Sequence, residues 1–167
     1  GLGTATFEES LSAITQLYTV FSRHFPEGQI CPWQPPLTSM TNTRGLLLSN
    51  RHFTRRTEGA QMQPIPFPIF VDPKGILANF VTPTLIHTEE NEVKYFIRVA
   101  DMARNYQYKP TTPTVFRVGD IVEVQFSLVV YKMRVDQYIL KPMLYSIALL
   151  DGHFSNVSVV LVKSGCL

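Results

Sequence analysis

The residues with the spacing of metal ligands come first. His87-Thr88-Glu89 is a His-x-Glu triplet, His153 lies on a turn downstream, and Lys163 follows ten residues later. A His-x-carboxylate pair followed by a distant histidine is the ligand order of the facial triad that holds non-heme iron. A nearby lysine would grip the carboxylate of a co-substrate. An iron-dependent oxygenase with a β-helix core, built on His87, Glu89 and His153, is therefore one expectation. Among four histidines and thirteen acidic residues such a spacing also arises by chance, and Thr88-Glu89-Glu90-Asn91 has the polarity of a hairpin tip. No G-x-S-x-G elbow, H-E-x-x-H, Walker loop or G-x-G-x-x-G fingerprint occurs. Cys31 and Cys166 have no histidine near them in sequence, and two separated cysteines with scattered histidines do not make a four-ligand zinc site. No catalytic residue, resident metal or cofactor is assigned.

Binding chemistry is better represented. Thr43–Arg56 (TRGLLLSNRHFTRR) carries Arg44, Arg51, Arg55 and Arg56, with His52 and Phe53 interleaved. Arginine beside an aromatic ring suits phosphate contact combined with base stacking, the two terms that hold single-stranded nucleic acid. A second cluster, Tyr131, Lys132, Arg134, Tyr138 and Lys141, surrounds the connection between two long apolar stretches. Basic and aromatic residues at long hairpins are how open barrels such as the OB-fold grip single strands. Each cluster also has a plainer use. Arginines discourage edge-to-edge pairing of strands, and hairpin tips are polar because they face water.

The elements that must position these residues are mostly strands. Phe116–Leu150 organises the chain. Within it Val122, Val124, Phe126, Leu128 and Val130 alternate with Glu123, Gln125, Ser127 and Tyr131, the period-two pattern of a half-buried strand. Gly119-Asp120 supplies the turn before it. Tyr138–Leu150 is a second strand, whose Pro142 belongs at a bulge, at an edge or where its missing N–H faces outward. Val157–Lys163 reads as a third, and the three are expected to pair antiparallel. Upstream, Val93–Ala100 alternates, Ile76–Ile86 reads as a strand broken by Pro83, and Asn105–Pro113 reads as a polar loop carrying Tyr106 and Tyr108. Gln63–Val71 alternates proline with apolar residues and must be extended, and Asp72-Pro73-Lys74-Gly75 is a turn.

Before the strands comes one helix. Phe7, Leu11, Ile14, Leu17, Tyr18 and Phe21 share a helical face, Thr6 is placed to cap it, and Pro26 stops it. The expectation is a covering helix over 5–25, a proline-rich connector over 26–42 pinned by Trp33, and a β-rich core over 43–167, all in one domain spanning 1–167. The fold class is mostly β: an antiparallel barrel or sandwich of six to eight strands, with an OB-like barrel as one form.

Composition bounds the rest. The chain is 45% hydrophobic and 17% charged, which argues against a disordered tail, and its net charge of +2 neither demands nor excludes nucleic acid. Two cysteines do not make a disulfide framework, no signal-peptide pattern opens the chain, and no apolar stretch reaches about twenty residues. No membrane association is expected, and an intracellular location, nuclear or cytoplasmic, is. A piece of a longer protein is one expectation, since Cys166-Leu167 end the chain directly after the last expected strand.

GDIVEVQFSLVV (Gly119–Val130) followed by SIALLDGHFSN (Ser146–Asn156), with Asp72-Pro73-Lys74-Gly75-Ile76-Leu77 upstream, resembles a pattern in multi-copy uncharacterised proteins of mushroom-forming (agaricomycete) fungi. The likeness spans about residues 67–156. That group has no assigned activity, so the resemblance implies no site or reaction. A link of such copy-rich genes with mobile elements would favour nucleic acid as a ligand.

These features combine in a non-enzymatic binding module. Its first expected ligand is single-stranded nucleic acid, held by Arg51, Arg55, Arg56, Lys132, Arg134 and Lys141 at phosphates and by Phe53, Tyr131 and Tyr138 at bases. A protein-interaction or assembly module, pairing with a partner or with itself through an open β-edge, is the alternative.

Overall fold

The computed structural model describes residues 4–38, 42–101, 105–133 and 136–153. Their order is helix α1 (Ala5–Ser22), then strands β1 (Thr54–Arg55), β2 (Leu85–Ile86), β3 (Lys94–Ala100), β4 (Tyr106–Pro110), β5 (Ile121–Lys132) and β6 (Tyr138–Asp151). Three single-turn 3-10 helices, at Ala78–Phe80, Glu89–Asn91 and Pro113–Val115, lie between them. The chain divides into two compact units. Unit 1 takes Gly1–Ser49 and Phe126–Met143, and unit 2 takes Asn50–Gln125 and the chain from Leu144 onward. The long strands β5 and β6 contribute residues to both.

The helix in unit 1 forms where its apolar spacing predicts, with two adjustments. Thr4, not Thr6, is the N-cap: its hydroxyl accepts from the Phe7 backbone N–H at 3.4 Å. Leu11 and Ile14 are buried and Phe7, Tyr18 and Phe21 half-buried, while Leu17 turns outward at 48% exposure. The helix ends at Ser22. Three backbone bonds of the i to i+3 kind then carry the chain to Phe25, because the residue before Pro26 is pushed out of the helical region.

The strands form two open sheets and not a closed barrel. β1 and β2 make a two-stranded antiparallel pair, and the other sheet has the order β4-β3-β6-β5. Closure would require a ladder between the outer strands β4 and β5, and among the described residues there is none. β3 pairs antiparallel with β4 and parallel with β6, so the sheet is mixed where an antiparallel one was expected. Parallel neighbours need a long crossover, which the β4-to-β5 passage supplies by carrying the chain across the sheet.

β5 alternates as its sequence demands from Glu123 to Leu128, with Val124, Phe126 and Leu128 half-buried and Glu123, Gln125 and Ser127 exposed. Val122 of the expected apolar face is exposed, however, and Tyr131 of the expected polar face is half-buried. Asp120 closes the turn before it, accepting from the Arg117 N–H at 2.6 Å, with Gly119 at φ +100°. Pro142 lies in β6 before the Ser146–Leu149 segment that pairs with β3, so its missing N–H breaks no bond of that ladder. The predicted third strand, Val157–Lys163, lies outside the described residues.

Two expectations upstream are corrected. Asn105–Pro113 is not a loop, because Tyr106–Pro110 is strand β4, paired along its length with β3. Ile76–Ile86 is not a strand, because after the Asp72–Gly75 turn the chain forms the Ala78–Phe80 helix and reaches sheet geometry only at Leu85–Ile86. Asp72 imposes this: its carboxylate accepts from the Ala78 N–H at 2.8 Å and turns the backbone, while Gly75 takes φ +66°.

In unit 2 the apolar face of the sheet holds Tyr95 between Phe70 and Phe116, with ring centroids at 6.4 and 6.0 Å. Burial there pushes the Tyr95 phenol above its ordinary pKa. A buried polar knot fixes β1 to the Glu89–Asn91 turn. Asn91 Oδ1 accepts from the Thr88 N–H at 3.0 Å and the Thr88 hydroxyl at 3.1 Å, and Asn91 Nδ2 donates to Thr54 Oγ1 at 3.0 Å.

Candidate interaction surfaces

The basic stretch of unit 2 starts from β1. Antiparallel pairing of Thr54 with Ile86 and Arg55 with Leu85 points Thr54 inward and Arg55 outward, as alternation requires. Arg56 follows, its backbone N–H donating to the Thr84 carbonyl at 2.9 Å and its side chain exposed. Among the described residues Arg55 and Arg56 make no ion pair. Arg51 does, reaching Glu58 Oε2 at 2.7 Å across a one-turn loop. Phe53 is half-buried with its ring edge-on to Phe67 at 5.6 Å, so its apolar surface is already engaged.

The second predicted cluster falls in unit 1. Tyr131 donates its hydroxyl to Met143 Sδ at 3.1 Å, and the Tyr138 ring packs on Phe25 with centroids 4.6 Å apart. Lys132 Nζ is 2.9 Å from Asp136 Oδ1. That hydrogen bond raises the lysine pKa and lowers the aspartate's. Lys141 is exposed on β6 beside an apolar groove of about 270 Å³ that includes Trp33, Leu47 and Pro142. Arg134 lies outside the described residues. The expected site residues are thus divided between the units: Arg51, Phe53, Arg55 and Arg56 in one, Tyr131, Lys132, Tyr138 and Lys141 in the other. All three proposed stacking rings have partners within the fold.

His87, Glu89 and His153 do not assemble into a metal site. Among the described residues no group of three His, Cys, Asp or Glu side chains stands close enough to hold an ion. His87 is buried at 2% exposure with its ring stacked on Phe67 at 3.8 Å, whereas Glu89 lies exposed on its 3-10 turn. The triplet separates because Thr88 caps that turn and sends the residues on either side of it apart.

Two surfaces were not singled out by the sequence. The first is a run of exposed apolar residues in unit 2, called the apolar arc. Ile69, Phe70, Ile76, Phe80 and Val81 are 80%, 41%, 56%, 59% and 41% exposed, all within residues 69–81. The second is one face of the four-stranded sheet. Pairing of Arg98 with Tyr108 places both on that face. The Arg98 guanidinium lies 4.4 Å from the Tyr106 ring centroid, and Tyr108 donates to Glu123 Oε2 at 2.6 Å. Phe96, Glu123, Gln125, Ser146 and Ala148 line an open groove of about 510 Å³ there. Nothing in the sequence marked the first surface, because Ile76, Phe80 and Val81 are as apolar as the residues of a core strand.

The chain matches no protein-family model, no curated protein and no solved structure.

Proposed function

We propose that this chain is a non-enzymatic binding module that docks a partner polypeptide through the apolar arc of unit 2. The observation that carries this reading is the exposure of Ile69, Phe70, Ile76, Phe80 and Val81 within thirteen residues. Single exposed apolar residues are ordinary, but a concentration of them including two phenylalanines is the composition of an interface core. Fully burying a Phe or Ile side chain contributes about 1.5–3 kcal/mol, so a partner covering the arc gains appreciable affinity. Arg55 and Arg56 lie next to the 82–85 turn that follows the arc, and arginine is enriched in interfaces relative to the rest of the surface.

The test is a photo-reactive phenylalanine analogue placed at position 76. The reading expects cross-links to a protein chain, a second copy included, and their loss in the Ile69→Ser/Phe80→Ser background. An absence of protein cross-links in extracts of the source cells, with the purified chain monomeric at micromolar concentration, would overturn it.

Single-stranded nucleic acid is the second reading. It is favoured by the two exposed arginines at 55 and 56, which no carboxylate neutralises among the described residues. Salt separates the two: apolar docking is nearly insensitive to it, whereas phosphate contact weakens steeply.

A further inference from the structure

Two residues of unit 2 that line the same small recess each carry a buried hydrogen-bond acceptor. The first belongs to His87, whose Nδ1 is 2.8 Å from the His52 carbonyl oxygen. A carbonyl can only accept, so Nδ1 carries the proton, and in the neutral ring Nε2 presents a lone pair. Nε2 is buried, and no protein donor reaches it. The second belongs to Asn50. Its Nδ2 donates to the carbonyls of Glu90 at 2.9 Å and Leu144 at 3.1 Å. That fixes the amide, since the flipped form would set oxygen against both carbonyls. Asn50 Oδ1 is therefore an acceptor, and it too is buried without a protein donor.

Asn50 and His87 line one recess of about 30 Å³, together with His52, Phe67, Asn91 and Tyr95. The amide of Asn91 is already committed to Thr54 and Thr88 and leaves the two acceptors to another donor. We propose that this recess is a binding site for one water molecule, which donates one hydrogen bond to His87 Nε2 and the other to Asn50 Oδ1. The donor pattern selects the ligand. An anion would set lone pairs against lone pairs, and although His52 and Glu92 also line the recess, no three His, Cys, Asp or Glu side chains among the described residues stand close enough to hold a metal ion. The recess exceeds the roughly 10–15 Å³ of cavity that one water needs, and buried waters characteristically satisfy such stranded polar atoms. Bound there, the water joins the segment at Asn50, the His87 backbone turn and, through the Asn50 amide, Leu144 of β6. The site is a structural fastening and stands independently of which partner the module docks.

A crystal structure from ammonium-free solution, fine enough to order single waters, tests it together with long-range nitrogen-proton spectra of the histidines. The proposal expects one solvent peak within hydrogen-bond distance of both atoms and the Nδ1–H tautomer at His87. His87→Phe keeps a ring against Phe67 and should lose the peak. A recess without density, a neutral His87 protonated on Nε2, or a peak that persists in His87→Phe would each overturn the proposal. Appearance of the peak only when ammonium is supplied would also overturn it, because the donor would then be that ion.

Discussion

Tyr108 and Glu123 come from the two opposite outer strands of the four-stranded sheet, yet the tyrosine hydroxyl donates to the carboxylate at 2.6 Å. Neighbouring strands lie about 4.8 Å apart, so the two side chains reach towards each other across β3 and β6. Ala148 of β6 lines the same groove, and its single methyl leaves room for that crossing. The bond raises the Tyr108 pKa above its ordinary 10.0, chiefly through the hydrogen bond to Glu123 and then through desolvation and the carboxylate's charge, with Arg98 opposing. A raised folded-state value means that the folded chain holds this proton more tightly than the unfolded one does. The contribution to stability is complete below pH 10 and is lost as pH rises through the raised value. Urea midpoints should therefore fall more steeply with alkaline pH in the native chain than in Tyr108→Phe. Glu123→Gln should bring the phenol's absorbance titration back towards ordinary tyrosine. Parallel pH profiles for the native chain and Tyr108→Phe would show that the bond does not form in solution.

The Asn91 knot makes a second, larger prediction. Thr54, Thr88 and Asn91 are 1%, 1% and 4% exposed, so water cannot replace a missing partner. Asn91→Ala strands the Thr88 N–H and both threonine hydroxyls at once. With a buried unsatisfied group costing about 1–3 kcal/mol, a loss of roughly 2–4 kcal/mol is expected in urea unfolding. Thr54→Val removes one hydroxyl at nearly constant shape and should cost about 1–2 kcal/mol. A loss in Asn91→Ala no larger than that of Thr54→Val would mean the knot is not fully formed.

What the sequence made legible follows from which forces are local. The alternation of Val124, Phe126 and Leu128 in β5 is read directly, because one face is packed and the other wet. β4 carried no such signal. All five residues of Tyr106–Pro110 are exposed, so neither face writes a hydrophobic pattern, and only pairing with β3 makes it a strand. Ile76, Phe80 and Val81 carried a misleading signal, because residues apolar enough for a core strand stand in water on a turn set by Asp72. The exposure of Arg55 and Arg56 was readable from charge. The engagement of Phe53, Tyr131 and Tyr138 was not, because Phe67, Met143 and Phe25 are brought to them by the fold.

The start of α1 distinguishes two candidate caps that lie one residue on either side of Ala5. Thr4 accepts from the Phe7 N–H, whereas Thr6 sits inside the first turn. Thr4→Ala should cost about 1 kcal/mol and Thr6→Ala a few tenths. Leu11→Ala, at a position 2% exposed, should cost about 2–5 kcal/mol, and Leu17→Ala, 48% exposed, about 0.5 kcal/mol or less. Chemical denaturation of the four variants measures all of these. Equal losses at positions 11 and 17 would place the buried stripe elsewhere on the helix.

The two exposed arginines decide whether the nucleic-acid reading survives. Arg55→Ala/Arg56→Ala removes two cations that no acidic side chain offsets among the described residues, and it leaves Thr54 and the β1–β2 pairing in place. Anisotropy of a labelled single-stranded oligonucleotide, followed from low to high salt, reads the effect. Each phosphate contact on a single strand contributes about 0.7 to the slope of log affinity against log salt, so the double variant should bind more weakly with a slope shallower by about 1.4. Arg51→Ala should change less, because Glu58 already holds that guanidinium at 2.7 Å. Native binding that the double variant retains in full, with its slope unchanged, would remove these arginines from any phosphate contact. No native binding even at low salt would reject the nucleic-acid reading.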